Sequence, residues 1–214
     1  MISFDRREAL RYMGYHGAEP DAAVAESLER CAAELQTAVQ PKSISARFPL
    51  SFIGENTMQI GDLTVTSANL ARNLRSCTEV YLMAATLGIG ADRLIARASA
   101  VRMSDAVILQ AVAAAMIETC CDEVNDALRH MAEREGLYCR PRFSPGYGDF
   151  SIEHQRDFSR LLDTPRKIGL TVTESCLLAP IKSVTAIIGL SPEKQDCHRK
   201  GCEECGKTDC NFRR

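Results

Sequence analysis

Apolar residues recur at three- and four-residue intervals after Pro20-Asp21. Val24, Leu28, Cys31, Leu35 and Val39 form one stripe, which predicts an amphipathic helix over 22–39, stopped by Pro41. From Lys42 to Thr66 the pattern changes to alternation, with Gly54-Glu55-Asn56 and Gly61-Asp62 as turn signals. Short strands or a hairpin are expected there. Ser67 is placed to cap a short helix carrying Leu70 and Leu74. Glu79 to Thr86, with Val80-Tyr81-Leu82-Met83 at its centre, reads as a buried strand closed by Gly88 and Gly90.

A long helical region follows over 92–135, read as two helices meeting near Met103-Ser104-Asp105, with Ser104 and Asp105 as amino-terminal caps of the second. Beyond Gly136 come strand-like residues 138–143, a loop, a helix over 151–162, and two apolar strands over 168–173 and 183–189. Helices and strands mix without a regular βα alternation. The expected fold class is therefore α+β, a mostly antiparallel sheet with flanking helices, and not a doubly wound parallel sheet. The expected organisation is a helical segment over 1–41, a core over 42–190 and a Cys-rich tail over 191–214.

Composition narrows the function classes. The chain has 214 residues, 45% of them hydrophobic and 25% charged, enough to bury a core without disulfides. Lys plus Arg number 26 against 28 Asp plus Glu, a formal charge of −2. No basic field is available for phosphate backbones, so nucleic acid is not an expected partner. The longest apolar stretch, Ala106 to Ile117, is too short to span a bilayer, and Met1 to Arg7 lacks the apolar run of a secretory signal. No membrane association and a cytoplasmic location are expected. Thiols stay reduced there, so the ten cysteines are not read as a disulfide framework.

Three segments carry candidate chemistry. In Arg142-Phe143-Ser144-Pro145-Gly146-Tyr147, a strand end runs into a turn where glycine lets backbone approach a ligand closely. Arg142 is suited to fork onto a carboxylate, or is an ordinary surface arginine beside an exposed turn. Glu118, Asp122 and Asn125 recur on one side of an otherwise apolar helix. They form either a solvated face or an acidic edge able to receive an ammonium group. In the Thr173-Glu174-Ser175 turn, closing local backbone hydrogen bonds is the expected role of Glu174 and Ser175.

Arg142-x-x-x-Gly146-Tyr147, followed by Thr173-Glu174-Ser175, Pro180 and Ser183-Val184, resembles the activation domain of cobalamin-dependent methionine synthase. The resemblance runs from about Ser67 to Gly189 and includes Ala85-Thr86-Leu87-Gly88 and the helix around Glu118. It implies binding of S-adenosylmethionine and its presentation to a corrinoid after one-electron reduction. Carried over by position, Arg142 would hold the cofactor's carboxylate, Ser144 and Gly146 would contact it through backbone, Tyr147 would border the pocket, and Glu118 would face it from its helix. A zwitterionic amino acid needs one fixed cation and one fixed anion, which agrees with this set. An acidic residue that the family uses early in the domain has no secure counterpart here, and Asp196-Cys197 stands where the family has aromatic contacts to adenine.

No corrinoid, folate or homocysteine module accompanies the domain in this sequence. The resemblance therefore implies a free-standing component serving a corrinoid-carrying methionine synthase, which would hold the cobalamin, together with an electron donor such as flavodoxin or ferredoxin. Its enzymatic part would be as a component of that methyltransferase. Two alternatives are an activator of another corrinoid methyltransferase and a non-enzymatic metal-binding interaction module. A Rossmann-type methyltransferase is not expected, because no glycine-rich strand-to-helix turn opens the chain.

The last eighteen residues hold Cys197, Cys202, Cys205 and Cys210, separated by four, two and four residues. Four thiolates at this spacing, with Gly201 and Gly206 for tight turns, suit one iron–sulfur cluster or one tetrahedral zinc. The reductive role implied by the resemblance favours the cluster. Cys120-Cys121, on the long helix, reads as small apolar packing.

Overall fold

The computed structural model describes residues 2–15 and 18–194. Six antiparallel strands build the main sheet: β1 (Lys42–Phe52), β2 (Thr57–Ile60), β3 (Leu63–Thr66), β4 (Glu79–Thr86), β5 (Tyr138–Cys139) and, last in the chain, β8 (Ser183–Ser191). Their order is β3-β2-β1-β4-β8-β5. The long β1 pairs with β4 from Lys42↔Thr86 to Pro49↔Glu79, and its far end pairs with β2. A separate two-stranded ribbon joins β6 (Thr171–Val172) to β7 (Leu178–Ala179). This is the expected α+β class with a mostly antiparallel sheet.

β4 and β8 are buried on both faces, which is why their sequences read as continuous apolar runs. One face, with Tyr81, Met83, Ala85, Ile188 and Leu190, meets the helical layer. That layer contains α1 (Arg6–Tyr12), α2 (Ala22–Ala38), α4 (Ile89–Val101) and α5 (Met103–Glu133). The other face, with Val80, Leu82, Ala84 and Ile187, packs on β2, β3, α3 (Ala68–Asn73), α6 (His154–Leu162) and α7 (Thr164–Ile168). The stripe read from α2 is real: Leu28, Cys31 and Leu35 are buried against α5 and its neighbours. As expected, Ser67 caps α3 by accepting from the Leu70 amide at 3.0 Å.

α5 spans 31 residues and is long and apolar enough to cross a membrane by composition alone, yet 61% of its most apolar window is buried inside the protein. Its apolar face serves the core, and Cys120 and Cys121 lie within it. Burial pushes the Cys121 thiol up to about 12, so it has no reactive thiolate at neutral pH.

Two local readings change. α5 starts at Met103, ahead of the expected caps, and Arg102 offers no side-chain cap. Asp105 instead receives the Arg30 guanidinium at 2.9 Å, a tertiary contact replacing the local one. The strand expected over 168–173 is mostly not strand. Thr164–Ile168 forms α7, with proline in its first turn and Gly169 (φ +71°) ending it. Thr164 Oγ1 donates to the Leu170 carbonyl at 2.7 Å and fixes the exit. Five residues are too few for helical periodicity to show in sequence.

Candidate functional site

The strand-like stretch after β5 is tied to the sheet at two points. Arg140 N donates to the Gly189 carbonyl at 2.8 Å, and Phe143 exchanges backbone hydrogen bonds with Ile187. Phe143 N leaves at 2.9 Å and Phe143 O accepts at 2.8 Å. Arg142, lying between them, reaches α5. Its Nη2 is 3.3 Å from Glu118 Oε2 and 3.0 Å from Asp122 Oδ1, with only 22% of the arginine side chain exposed. Nη1 is shielded from solvent and has no hydrogen-bond partner among the described residues. A guanidinium held on one edge by carboxylates keeps donors for a further acceptor. One arginine and two acids leave a formal net charge of −1 at this place.

The turn that follows is rigidly defined. Gly146 has φ +95°. Its amide donates to the Phe150 carbonyl at 2.7 Å, while the Tyr147 amide donates to the Ser144 carbonyl at 3.2 Å. Ser144 is half-buried, whereas Gly146 is open and Tyr147 is 68% exposed. The tyrosine ring is thus available at the surface beside the turn. Phe150 anchors the loop from below, its ring against Phe143, His154 and Phe158.

The structure adds a residue the sequence did not single out. Asp149 accepts from Ser67 Oγ, from the Ala68 amide at 2.7 Å and from the Asn69 amide at 3.1 Å. It therefore ties the Ser144–Phe150 loop to the amino terminus of α3. Gly148 permits that approach, because a Cβ there would stand 2.6 Å from Asn69 Nδ2. The hydrogen bond from Ser67 and those from the α3 amides hold the Asp149 carboxyl down at about 2, against 3.8 ordinarily. The depressed pKa fixes the sign. Stabilisation from this clamp is present above about pH 4 and is lost as pH falls toward 2. Asp149→Asn is expected to flatten that part of the melting temperature's dependence on pH. An unchanged acid limb in a thermal titration would contradict the assignment.

Of the expected site residues, Arg142 and Glu118 are in direct contact, and Ser144, Gly146 and Tyr147 follow Arg142 along the chain in the turn tied to α3. Around Thr173 the local backbone bond is closed by Thr173 Oγ1, which accepts from the Leu177 amide at 3.0 Å, while Ser175 Oγ pairs with Thr173 Oγ1 at 3.0 Å instead of with backbone. Cys197, Cys202, Cys205 and Cys210 lie outside the described residues. Among the described residues no cluster of His, Cys, Asp or Glu has a metal-binding arrangement.

Together these features define an antiparallel α+β domain in which the segment after the edge strand β5 carries an arginine paired with two carboxylates of α5. No family model matches the chain, and no curated protein matches it. Among solved structures it is similar to the crystal structure of the MetH reactivation domain bound to AdoHcy. The two share 16% identity at a TM-score of 0.64, over 88% of this chain and 76% of that chain. The chain has a reactivation-domain-like fold.

Proposed function

We propose that the protein is an S-adenosylmethionine-binding activation component for the reductive remethylation of cobalamin on a separate methionine synthase. The observation that carries this reading is the Arg142 site: a partly exposed guanidinium held beside Glu118 and Asp122, four residues before a glycine turn. It stands on a fold similar to that of a domain crystallised with AdoHcy. The ligand's carboxylate would meet the partly exposed Arg142 guanidinium, and its ammonium would face Glu118 and Asp122. S-adenosylmethionine carries one negative and two positive groups, so its net charge is opposite to that of the site.

The protein's residues hold and orient the ligand, and no side chain acts as nucleophile. In the reaction this reading implies, a donor such as flavodoxin or ferredoxin would supply one electron to the partner's corrinoid, and the sulfonium methyl presented here would pass to the reduced corrinoid, with S-adenosylhomocysteine left in the site. Ser144 and Gly146 would border the ligand through backbone, and the exposed Tyr147 ring would flank it. Calorimetric titration of the intact chain with S-adenosylmethionine tests the reading. One binding site per chain is expected, and no heat above dilution would overturn it.

The same proposal extends to Cys197, Cys202, Cys205 and Cys210 as ligands of one metal centre, an iron–sulfur cluster or zinc. The chemistry of four closely spaced thiolates supports it. Protein purified without oxygen is expected to contain iron and sulfide, or stoichiometric zinc, and to lose it when Cys202 and Cys205 become serine. Four freely titrating tail thiols in metal-free protein would refute this part alone.

A further inference from the structure

A second cleft lies on the other side of α3. It has a volume of about 520 Å³ and is walled by the β1–β2 hairpin at Phe52 and Asn56 and by Ala71, Arg72, Arg75 and Ser76. α3 separates it from the Arg142 site. Asn69 and Asn73 face the 141–149 loop, with Asn73 Nδ2 donating to the Pro141 carbonyl at 3.4 Å. Ala71, Arg72 and the following Arg75 face the cleft instead.

Positive charge exceeds negative charge at this place. Arg72 and Arg75 are exposed and form no ion pair among the described residues, and Glu55 is the cleft's one acid. Beneath them lies Arg140, 5% exposed, whose Nη2 donates to the Arg75 carbonyl at 3.0 Å. Its Nε is buried without a partner, and no carboxylate pairs with it among the described residues. An arginine stays charged at any ordinary pH, and a buried charge lacking a counter-ion is costly. Gly189 makes room for it, because a Cβ there would meet Arg140 Cγ at 3.1 Å.

The turn carrying these groups is held in a rare conformation. Ser76 has φ +64° although it is not glycine. The backbone around it is fixed by Cys77 N donating to Leu74 O at 3.0 Å and Thr78 N donating to Leu190 O at 3.1 Å. Strain of this kind persists where the surroundings over-determine it, and it collects at binding sites. At the opposite wall Phe52 keeps 43% of its surface exposed, leaving an aromatic face within the cleft.

We propose that this cleft binds a nucleoside phosphate, with the phosphate between Arg72 and Arg75 and the base against Phe52. Two guanidinium forks match phosphate oxygens. An exposed ring supplies stacking area for a flat heterocycle, and the volume falls within the range of small-molecule sites. The reading is independent of the Arg142 site.

The test uses the full chain with three probes: adenosine 5′-monophosphate, inorganic phosphate and adenosine. The nucleotide is expected to bind more tightly than either half. Arg72→Ala and Arg75→Ala should each weaken it about tenfold, the worth of one charged hydrogen bond. Phe52→Ala should weaken the nucleotide and leave inorganic phosphate unchanged. All three side chains are exposed, so the variants retain the core, and their affinity for S-adenosylmethionine should match the wild type. No nucleotide binding, or equal binding by both arginine variants and wild type, overturns the site. Nucleotide and inorganic phosphate binding equally would overturn the role of Phe52.

Discussion

Arg142→Ala is expected to weaken S-adenosylmethionine binding by about 2–4 kcal/mol, roughly thirty- to several-hundredfold. The ligand's carboxylate loses its cationic partner. Glu118 and Asp122, 3.3 and 3.0 Å from the guanidinium, lose their counter-charge and draw the ligand's ammonium more strongly, which offsets part of that loss. Arg142→Lys should recover only part of the loss, because an ammonium is a point charge without the planar fork. Titration calorimetry on both variants measures this. An alanine variant binding as tightly as the wild type would remove Arg142 from the site. Binding absent from the wild type itself would remove the proposed function.

The strands and the long helices were legible because their apolar patterns are long. β4 and β8 read as buried runs, and α2 showed its stripe over four turns, so the antiparallel α+β class followed from sequence. α7 and the β6–β7 ribbon were not legible, since elements of five and two residues are decided by tertiary hydrogen bonds and by Gly169. The same reason explains Asp105, which looked like a cap and proved to be an ion-pair partner of Arg30.

Site residues were legible by type more than by partner. Arg142 and Glu118 were singled out in separate segments, and the structure shows them touching. Asp149 carried no local signal, because its partners on α3 lie about eighty residues away. Arg140 stands two residues before Arg142 and looks equivalent in sequence. Only the sheet separates them, burying the first beneath Arg75 and directing the second to α5.

Gly90→Ala is expected to destabilise the protein by about 3 kcal/mol, although alanine is the better helix former. The intrinsic gain from removing a helical glycine is at most ~1 kcal/mol. Against it stands the junction of α2 with α4, where a Cβ on Gly90 would fall 1.9 Å from the Ala38 carbonyl oxygen and 2.9 Å from its carbon. That obstacle is backbone at the end of a packed helix and not a side chain that can rotate away. Either α4 shifts, or α2 withdraws from the layer in which Leu28 and Leu35 bury against α5. Forced repacking of side chains costs about 1–3 kcal/mol and more where backbone must move, here about 4 kcal/mol, so the clash outweighs the propensity gain. For a chain of this size the melting temperature should fall by about 6–12 °C. Gly54→Ala is the control, since a Cβ there meets only Thr57 at an ordinary 3.5 Å, and its midpoint should stay near the wild-type value. A Gly90→Ala protein as stable as the wild type would show that α2 and α4 are not in the close backbone contact described here.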